Sequence, residues 1–282
     1  MNHALIRYLE AKRSVDERAL STRVRNRLLK RIPDAPRVLE VGCGTGATVP
    51  RLVDWGIDRG TYRGVDTNKT VVEFARSARA KELRYQGHSV TDTERGFVTG
   101  DLSVSFDTGD AFGTLSAEED YDLVIGHAFA DLVSPQRLLS KAESALRPSG
   151  VAYFPITFDG ETIFQPDHPA DPTIVSAYHE ALDSTSGRDS RAGRHLANAM
   201  TDAQGTLLSM AGSDWVVRPR NGTYPADEAY FLGRILGFVE QALGESSLPE
   251  LAEWVTERKE QLDAGDLLYV AHQYDLLYQT DQ

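Results

Sequence analysis

Residues 37–46, RVLEVGCGTG, decide the fold. An apolar run that contains one acidic residue leads into three glycines at alternate positions, and helix-compatible sequence resumes at Val49. This order is typical of a buried parallel strand, a tight turn and the first turn of a helix. Glycine suits such a turn because its dihedral angles are unusual and because a ligand there approaches bare backbone amides. The stretch therefore predicts a ligand site at the end of a strand.

Strand and helix signals alternate along the chain around this stretch. The other predicted strands are the runs at residues 62–66, 103–106, 121–127, 150–157, 213–218 and 267–278. The predicted helices are residues 2–31 in two pieces, 48–55, 69–84, 135–146, 194–210, 226–243 and 248–264. Alternation at this spacing predicts a parallel sheet with helices on both faces. The polar residues 87–101 are predicted to form a loop.

This pattern divides the chain into three predicted units. Residues 1–33 form N-terminal helices. Residues 34–157 and 194–282 form an α/β core that includes a helical insertion at about 219–265. Residues 158–193 are rich in proline and aromatic side chains, and we expect them to form a cap over the carboxyl edge of the sheet.

Basic residues cluster at the joint between the two predicted N-terminal helices. A capping box begins at Ser14, and Lys12, Arg13 and Arg18 lie beside it. A solvated helix face is one interpretation of this cluster. The other is that the joint lies over the glycine turn and pairs with a carboxylate of the ligand.

The composition narrows the class of protein. The 282 residues are 41% hydrophobic and 26% charged, which is ordinary for a globular protein and argues against disorder. The net charge of −12 argues against nucleic-acid partners, because affinity for phosphate backbones depends on clustered lysine and arginine. No apolar run reaches the roughly 20 residues that span a bilayer, and the N-terminus lacks the apolar core of a signal peptide. We therefore expect no membrane partner and a cytoplasmic location.

The single cysteine, Cys43, cannot form an internal disulfide, which fits a reducing compartment. It lies between two glycines of the turn. We interpret it as filling a small space beside the turn; a nucleophile is the alternative.

Two classes of ligand are compatible with the glycine turn. The first two glycines and Ala47 satisfy the dinucleotide fingerprint G-x-G-x-x-G/A, and Asp66 falls where an acid that binds ribose is expected. Three other features distinguish the alternatives. They are Glu40 before the first glycine, the third glycine at alternate spacing, and the acid followed by a small residue in FDTGDAF at residues 106–112.

With these features the chain resembles the class I S-adenosylmethionine-dependent methyltransferases. The resemblance runs from Val38 to about Thr157, and the closing strand at 267–278 is similar to the antiparallel seventh strand of that family. It implies a Rossmann-like, mostly parallel seven-stranded sheet with an antiparallel last strand and helices on both faces. The N-terminal helices and the helical cap insertions lie outside the general pattern of the family.

The resemblance also implies roles for individual residues. Residues 40–46 would approach the methionyl part of the cofactor, Asp66 would bind the ribose hydroxyls, and Asp110 would meet the adenine. His127 would border the transferable methyl group. The cofactor-binding residues predicted in this way, with the basic joint included, are Arg13, Arg18, Glu40, Gly42, Cys43, Gly44, Gly46, Asp66, Thr67, Asp110, Ala111, Phe112, His127 and Ala128. A helix N-cap is the alternative role for Asp66, and a turn residue for Asp110.

The predicted reaction is in-line methyl transfer to a small organic molecule, with an oxygen or carbon acceptor preferred over nitrogen. The fourth strand ends in GHAF at residues 126–129 and lacks the Asn-Pro-Pro-aromatic pattern of methyltransferases that act on amino groups of bases or glutamine. An acceptor that holds its proton tightly requires a base, for which His127, His272 and Asp131 are the candidates. Packing, a strand hydrogen bond and a helix cap are their alternative roles. No metal site is predicted.

The acceptor pocket is expected to be aromatic. The candidate lining residues are Phe158, Phe164, Tyr178, Tyr224, Tyr230 and Phe231. Two other functions remain open: a nicotinamide-dependent Rossmann oxidoreductase, supported by the fingerprint alone, and a module that binds S-adenosylmethionine without turnover. A homodimer is a further expectation, since the aromatic closing strand and the insertions could form an interface.

Overall fold

The computed structural model describes residues 5–117, 120–244 and 248–281. Its strands are β1 (Arg37–Val41), β2 (Arg59–Asp66), β3 (Val90–Thr93), β4 (Gly96–Thr99), β5 (Asp101–Thr108), β6 (Tyr121–Ile125), β7 (Leu146–Gln165), β8 (Thr206–Gly212), β9 (Trp215–Val217) and β10 (Leu268–Gln279). Its α-helices are α1 (Ile6–Ala11), α2 (Arg13–Ala19), α3 (Thr22–Leu29), α4 (Thr48–Asp54), α5 (Lys69–Tyr85), α6 (Ala111–Ala117), α7 (Pro135–Ala145), α8 (Asp171–Asp183), α9 (Ala192–Asp202), α10 (Glu228–Leu243) and α11 (Leu251–Ala264). A short 3₁₀ turn covers Ala130–Leu132.

All ten strands belong to one sheet, in which the order is β3-β4-β5-β2-β1-β6-β7-β10-β8 and β9 pairs with part of β10. The five strands β5, β2, β1, β6 and β7 are parallel neighbours. The closing strand β10 is antiparallel to both β7 and β8. This arrangement confirms the predicted Rossmann-like sheet with an antiparallel last strand. The β3–β4 hairpin and β8 extend it beyond the seven predicted strands.

The predicted loop at residues 87–101 is wrong, because β3 and β4 form an antiparallel hairpin there and β4 continues the sheet onto β5. All but the first residue of β3 are exposed. An edge strand with solvent on its outer side lacks the apolar alternation by which strands are recognised, so its sequence resembles a loop.

The second half of the chain also differs from the prediction. The helix predicted at 194–210 ends at Asp202, and residues 206–212 form β8 next to β10. The strand predicted at 213–218 is the three-residue β9. Strand β7 continues to Gln165 along β10, so the first residues of the predicted cap extend the sheet. The half-buried β8 carries no clear period, which explains why helix was predicted.

The N-terminal region forms three short helices where two were predicted. Ser14, where the capping box was predicted, lies inside α2, and its hydroxyl donates to Glu228. The N-cap of α3 is Ser21, whose Oγ accepts from the Val24 amide. Residues 1–4 of the predicted N-terminal unit, 245–247 of the predicted insertion and residue 282 lie outside the described residues.

Helices cover both faces of the sheet, and an apolar cluster lies between the sheet and the helices on each face. A third apolar cluster lies beyond the carboxyl edge of the sheet. In that cluster Tyr8 and Val15 of the N-terminal helices pack with Phe238 of α10 and Tyr269 of β10. Tyr8 and Phe238 meet edge to face at 5.2 Å between ring centroids. The N-terminal helices and α10 therefore form a roof over the ends of β1 and β6. No helix among the described residues is long and apolar enough to cross a membrane.

Candidate functional site

The glycine turn follows β1 directly. Gly42, Gly44 and Gly46 have φ values of +66°, +51° and +73°, which residues with side chains rarely adopt. A Cβ on Gly42 would lie 2.4 Å from the Phe129 ring, and one on Gly46 would lie 2.6 Å from the Phe106 ring. The turn is therefore confined between Phe129, which follows β6, and Phe106 of β5, and both conformation and space require glycine there.

A cavity of about 460 Å³ begins at this turn and extends under the N-terminal helices. Most of the predicted site residues line it: Arg13, Glu40, Gly42, Cys43, Gly44, Asp66, Thr67, Asp110, Ala111, Phe112, His127, Ala128 and Asp131. Except for Arg13 of α2, they lie at or just after the carboxyl ends of β1, β2, β5 and β6, where ligands of parallel α/β sheets bind. Leu9 of α1 approaches within 3.4 Å of the position of a Cβ on Gly44, so this helix covers the turn.

The structure places three predicted site residues outside the cavity. Gly46 packs under the turn against Phe106. Arg18 points away and pairs with the buried Glu228 at 2.5 Å. His272 lies on the opposite side of β10 from the cavity-lining residues, where its Nδ1 is 2.7 Å from Asp214. The basic joint is thus divided: Lys12 and Arg13 line the cavity and Arg18 does not.

Glu40 is a buried acid in the cavity wall, with 1% of its surface exposed. Thr48 Oγ1 donates to it at 2.8 Å, and the Tyr62 hydroxyl also donates to it. Burial raises the pKa of Glu40 to about 7 against the effect of these hydrogen bonds. The Glu40 carboxyl group, which lies beside the glycine turn, therefore titrates near neutral pH.

The raised pKa of Glu40 predicts a pH-dependent difference in stability from Glu40→Gln. The native state keeps the proton that the unfolded chain releases above its ordinary pKa, so the contribution of Glu40 to stability is lost as pH rises from about 4.5 towards 7. Between pH 5 and pH 8, the free energy of unfolding of the native protein should fall by about 2 to 3 kcal/mol relative to that of Glu40→Gln. Urea unfolding of both proteins at the two pH values measures this; a constant difference contradicts it.

Asp66 ends β2 beside the turn. Its two carboxylate oxygens accept from the Gly44 amide at 3.0 Å and from the Asn68 amide at 2.8 Å. Each oxygen keeps a second lone pair, and together they suit a vicinal diol. The predicted N-cap role belongs to Asn68, whose side chain accepts from the first amides of α5.

Asp66→Ala should weaken binding of S-adenosylhomocysteine by roughly 10- to 150-fold, the loss expected for about 1.5 to 3 kcal/mol of charge-assisted hydrogen bonds. Asp107→Ala is the matched control, because this acid lies one residue before the end of the neighbouring strand β5 but binds Arg63 at 2.7 Å outside the cavity. Calorimetric titration measures both variants. Equal affinity of the Asp66→Ala and Asp107→Ala variants for S-adenosylhomocysteine would show that Asp66 does not bind the cofactor.

Asp110 and the residues after it begin α6 at the rim of the cavity. The Asp110 carboxylate accepts from the Gly113 amide, in the first turn of α6, at 2.6 Å, which is a helix-cap contact; its contact with an adenine stays a prediction. Ala111 and Phe112 line the cavity beside it, and the Arg137 guanidinium lies 4.0 Å from the Phe112 ring centroid. We call the part of the cavity wall formed by Ala111 and Phe112 the slot at Ala111; a small side chain beside an aromatic ring suits a planar group.

His127 follows β6, and both of its ring nitrogens are hydrogen-bonded. Arg51 donates to its Nδ1 at 3.1 Å, so Nε2 carries the proton and donates to Asp16 at 3.0 Å. Burial, together with the Arg51 guanidinium, lowers the pKa of His127 to about 4. Because its lone pair is occupied and its pKa is low, the ring is a poor proton acceptor in this arrangement.

Asp16 connects the N-terminal helices to the site. It is 2% exposed and accepts from His127, from Lys12 at 3.3 Å and from the Trp215 indole at 2.8 Å. Although burial opposes ionisation, the Lys12 ammonium, the hydrogen bond from His127 and the Arg51 guanidinium hold the pKa of Asp16 well below its usual range. Sequence reasoning missed this role, and only its position beside the basic joint pointed to it.

The far part of the cavity is mostly aromatic and apolar. Of the predicted aromatic residues, Phe158 and Tyr178 line it, whereas Phe164 and Phe231 are buried in the third apolar cluster. Tyr224 donates to a backbone carbonyl, and Tyr230 packs on Arg7. Sequence reasoning did not single out Ile156, Thr162, Leu182, Trp215, Ile235, Phe238, Tyr269, Ala271 and Gln273, which also line this part.

Asp131 is an acid in the cavity wall that none of the cofactor contacts uses. It lies in the 3₁₀ turn after β6, lines the cavity, and its backbone carbonyl accepts from the Asp189 amide. Burial raises the pKa of its carboxyl group, against the effect of Arg188 and Lys12. A carboxylate of raised pKa at an apolar pocket is a stronger base than one in water.

The residues present fit the cofactor that the resemblance implies. Bare backbone at the glycine turn allows close approach, Asp66 suits a ribose diol, and the slot at Ala111 suits an adenine. Lys12 and Arg13 are cations near the turn that suit a ligand carboxylate. Among the residues that the structure describes, no group of histidine, cysteine and acidic side chains could hold a metal ion.

Comparison with known proteins adds independent findings. Residues 32–155 match a family model described as a methyltransferase domain. A solved structure of a putative methyltransferase from Bacillus halodurans C-125 is 12% identical, covers 92% of this chain and 99% of its own, and has a TM-score of 0.54. The cyclopropane synthase MmaA2 from Mycobacterium tuberculosis is 13% identical, with 92% and 83% covered and a TM-score of 0.49. No curated protein matches the chain. The first structure shares the fold, and the family match includes the glycine turn.

Proposed function

We propose that this chain, which carries a class I S-adenosylmethionine-dependent methyltransferase domain, methylates an oxygen or carbon atom of a small organic molecule. The observation that carries the proposal is one continuous cavity with two unlike parts. One part has bare backbone and the Asp66 carboxylate at the glycine turn. The other is aromatic and closed over by the N-terminal helices and α10. A cofactor and an acceptor would meet between them, near His127.

The residues at the glycine turn bind and orient the cofactor in this proposal. Asp66 holds the ribose, Ala111 and Phe112 enclose the adenine, and Lys12 or Arg13 pairs with the carboxylate. S-adenosylmethionine supplies an already activated methyl group, so the protein mainly has to align the acceptor and exclude water. The roof of N-terminal helices, fixed through Asp16, performs the second task.

An oxygen or carbon acceptor must also lose a proton, and Asp131 is the base in this proposal. It lines the aromatic part of the cavity and burial raises its pKa, whereas His127 has both nitrogens engaged. The neutral His127 instead holds Arg51 and Asp16 in place beside the reacting groups. Asp131 therefore takes the catalytic role for which His127 was the first candidate.

A transfer assay tests the function. The protein is incubated with S-adenosylmethionine and, separately, with a set of phenols, a set of β-diketones and a set of primary amines, and release of S-adenosylhomocysteine is measured. We expect release with phenols or diketones that exceeds the rate without acceptor. Asp66→Ala should abolish it at low cofactor concentration. Release with amines alone would contradict the acceptor class, and binding of S-adenosylhomocysteine without release in any set would favour a non-catalytic module.

A further inference from the structure

Gln273 is a polar side chain in the cavity wall to which the proposed function gives no role. It is 2% exposed, and its Nε2 has no hydrogen-bond partner among the described residues. Buried polar groups in proteins are nearly always paired, so an unpaired carboxamide on a residue that lines a ligand cavity indicates a partner that the ligand brings. The backbone of Gln273 is already satisfied, because its carbonyl accepts from the Ser213 amide at 2.8 Å and its amide donates to Asp214.

The position of Gln273 puts this amide in the aromatic part of the cavity. Tyr269, Ala271 and Gln273 alternate along β10 and all line the cavity. Gln273 is paired with Phe158 of β7, and Ala271 with Trp215 of β9, and both aromatic residues also line the cavity. The carboxamide thus lies among mostly aromatic and small side chains, with Thr162, whose hydroxyl is 3.0 Å from His179 Nε2, as a polar neighbour that already has a partner. Rotation about the last torsion of Gln273 exchanges Oε1 and Nε2 and so turns Nε2 towards a ligand.

The charges that line the cavity favour an uncharged ligand in this part. Lys12 pairs with Asp16 at 3.3 Å, Arg13 with Glu82 at 2.5 Å, and Arg51 with Glu17 at 2.7 Å. The positive charge of Arg188 interacts with the Asp131 carboxyl group and partly opposes the rise in its pKa that burial causes. Each of these cations therefore has an acid of the protein beside it, and a neutral oxygen is the better match for the Gln273 donor.

We infer that Gln273 donates a hydrogen bond through Nε2 to a carbonyl oxygen of the acceptor, so the substrate class is an uncharged aromatic or unsaturated carbonyl compound. The inference rests on the proposed function, because it assigns the aromatic part of the cavity to the acceptor. It makes Gln273 a residue that determines specificity, and it separates the substrates of this chain from carboxylic acids and from pure hydrocarbons.

The test uses two probes of nearly the same shape, acetophenone and α-methylstyrene, which differ in C=O against C=CH₂. Their dissociation constants are measured by calorimetry on the full chain saturated with S-adenosylhomocysteine. We expect the preference for acetophenone over α-methylstyrene to fall about tenfold in Gln273→Leu, the loss that one hydrogen bond to a buried group produces. Gln279→Leu is the matched control on the same strand, since its Nε2 donates to the Ser149 carbonyl outside the cavity, and it should keep the native preference.

Three results would overturn the inference: a preference that is the same in Gln273→Leu and the native protein, failure of both probes to bind, or tighter binding of benzoate than of acetophenone. Binding of S-adenosylhomocysteine to all three proteins is measured first. Loss of that binding in the native protein would refute the proposed function itself, whereas retained binding with an unchanged probe preference refutes only the role of Gln273.

Discussion

Asp131→Asn is expected to lower the rate of methyl transfer by a factor of about 100 to 10,000 and to leave the affinity for S-adenosylhomocysteine nearly unchanged. Asparagine keeps the size and polarity of the side chain but cannot accept the proton of the acceptor. The expected loss is confined to kcat, since the group acts on the acceptor and not on the cofactor. The measurement is the release of S-adenosylhomocysteine with an acceptor found in the transfer assay.

His272→Asn is the matched control for this experiment. The sequence made His272 a candidate base, but the side chain binds Asp214 and stacks edge to face on Tyr274, away from the cavity. Its substitution should leave the rate of transfer unchanged. An Asp131→Asn protein that retains native kcat would refute the role of Asp131. Loss of activity in His272→Asn would instead identify His272 of β10 as the base.

Asp16→Ala is expected to destabilise the protein by about 3 to 5 kcal/mol, because it leaves the buried Lys12 charge without its partner. It also removes the acceptor of the His127 proton and of the Trp215 indole. The N-terminal helices should then separate from the sheet before the core unfolds. Urea unfolding measures the loss of stability, and limited proteolysis with trypsin should cleave the variant first in α2 and α3, where arginines are frequent.

Asp227→Ala is the control for Asp16. Asp227 also connects the N-terminal helices to a later element, through Arg7 at 3.1 Å, but both side chains are largely exposed. A solvent-exposed ion pair contributes little, so the free energy of unfolding and the tryptic pattern should stay native. If Asp16→Ala proved as stable and as resistant to trypsin as Asp227→Ala, the buried network would not hold the roof in place.

The parts of the site that the sequence predicted are those encoded locally. The strand, the glycines and Glu40 lie within residues 37–46, and their spacing alone specifies a turn at a strand end. Asp66 and Asp110 follow from the same rule applied to the next strands, because the carboxyl ends of parallel strands meet at one edge. The antiparallel direction of the closing strand followed from the resemblance, and the pairing of β10 with β7 confirms it.

The parts that the sequence did not predict depend on pairing between distant segments. Asp16 and Trp215 are 199 positions apart, and nothing near either residue indicates their hydrogen bond. His272 and Gln273 are neighbours on a strand, so they face opposite sides of the sheet. Which of them meets the cavity depends on the register of β10 with β7, and a shift by one residue would exchange them. The sequence therefore suggested His272 as a site residue, whereas the register of β10 places Gln273 in the cavity wall.

Calorimetric titration of the native protein with S-adenosylhomocysteine, and separately with NAD, determines which cofactor the glycine turn binds. The glycine turn with Glu40, Asp66 and the slot at Ala111 predicts binding of one S-adenosylhomocysteine per chain and no detectable binding of NAD. Binding of NAD without binding of S-adenosylhomocysteine would contradict the account and make the chain a nicotinamide-dependent protein.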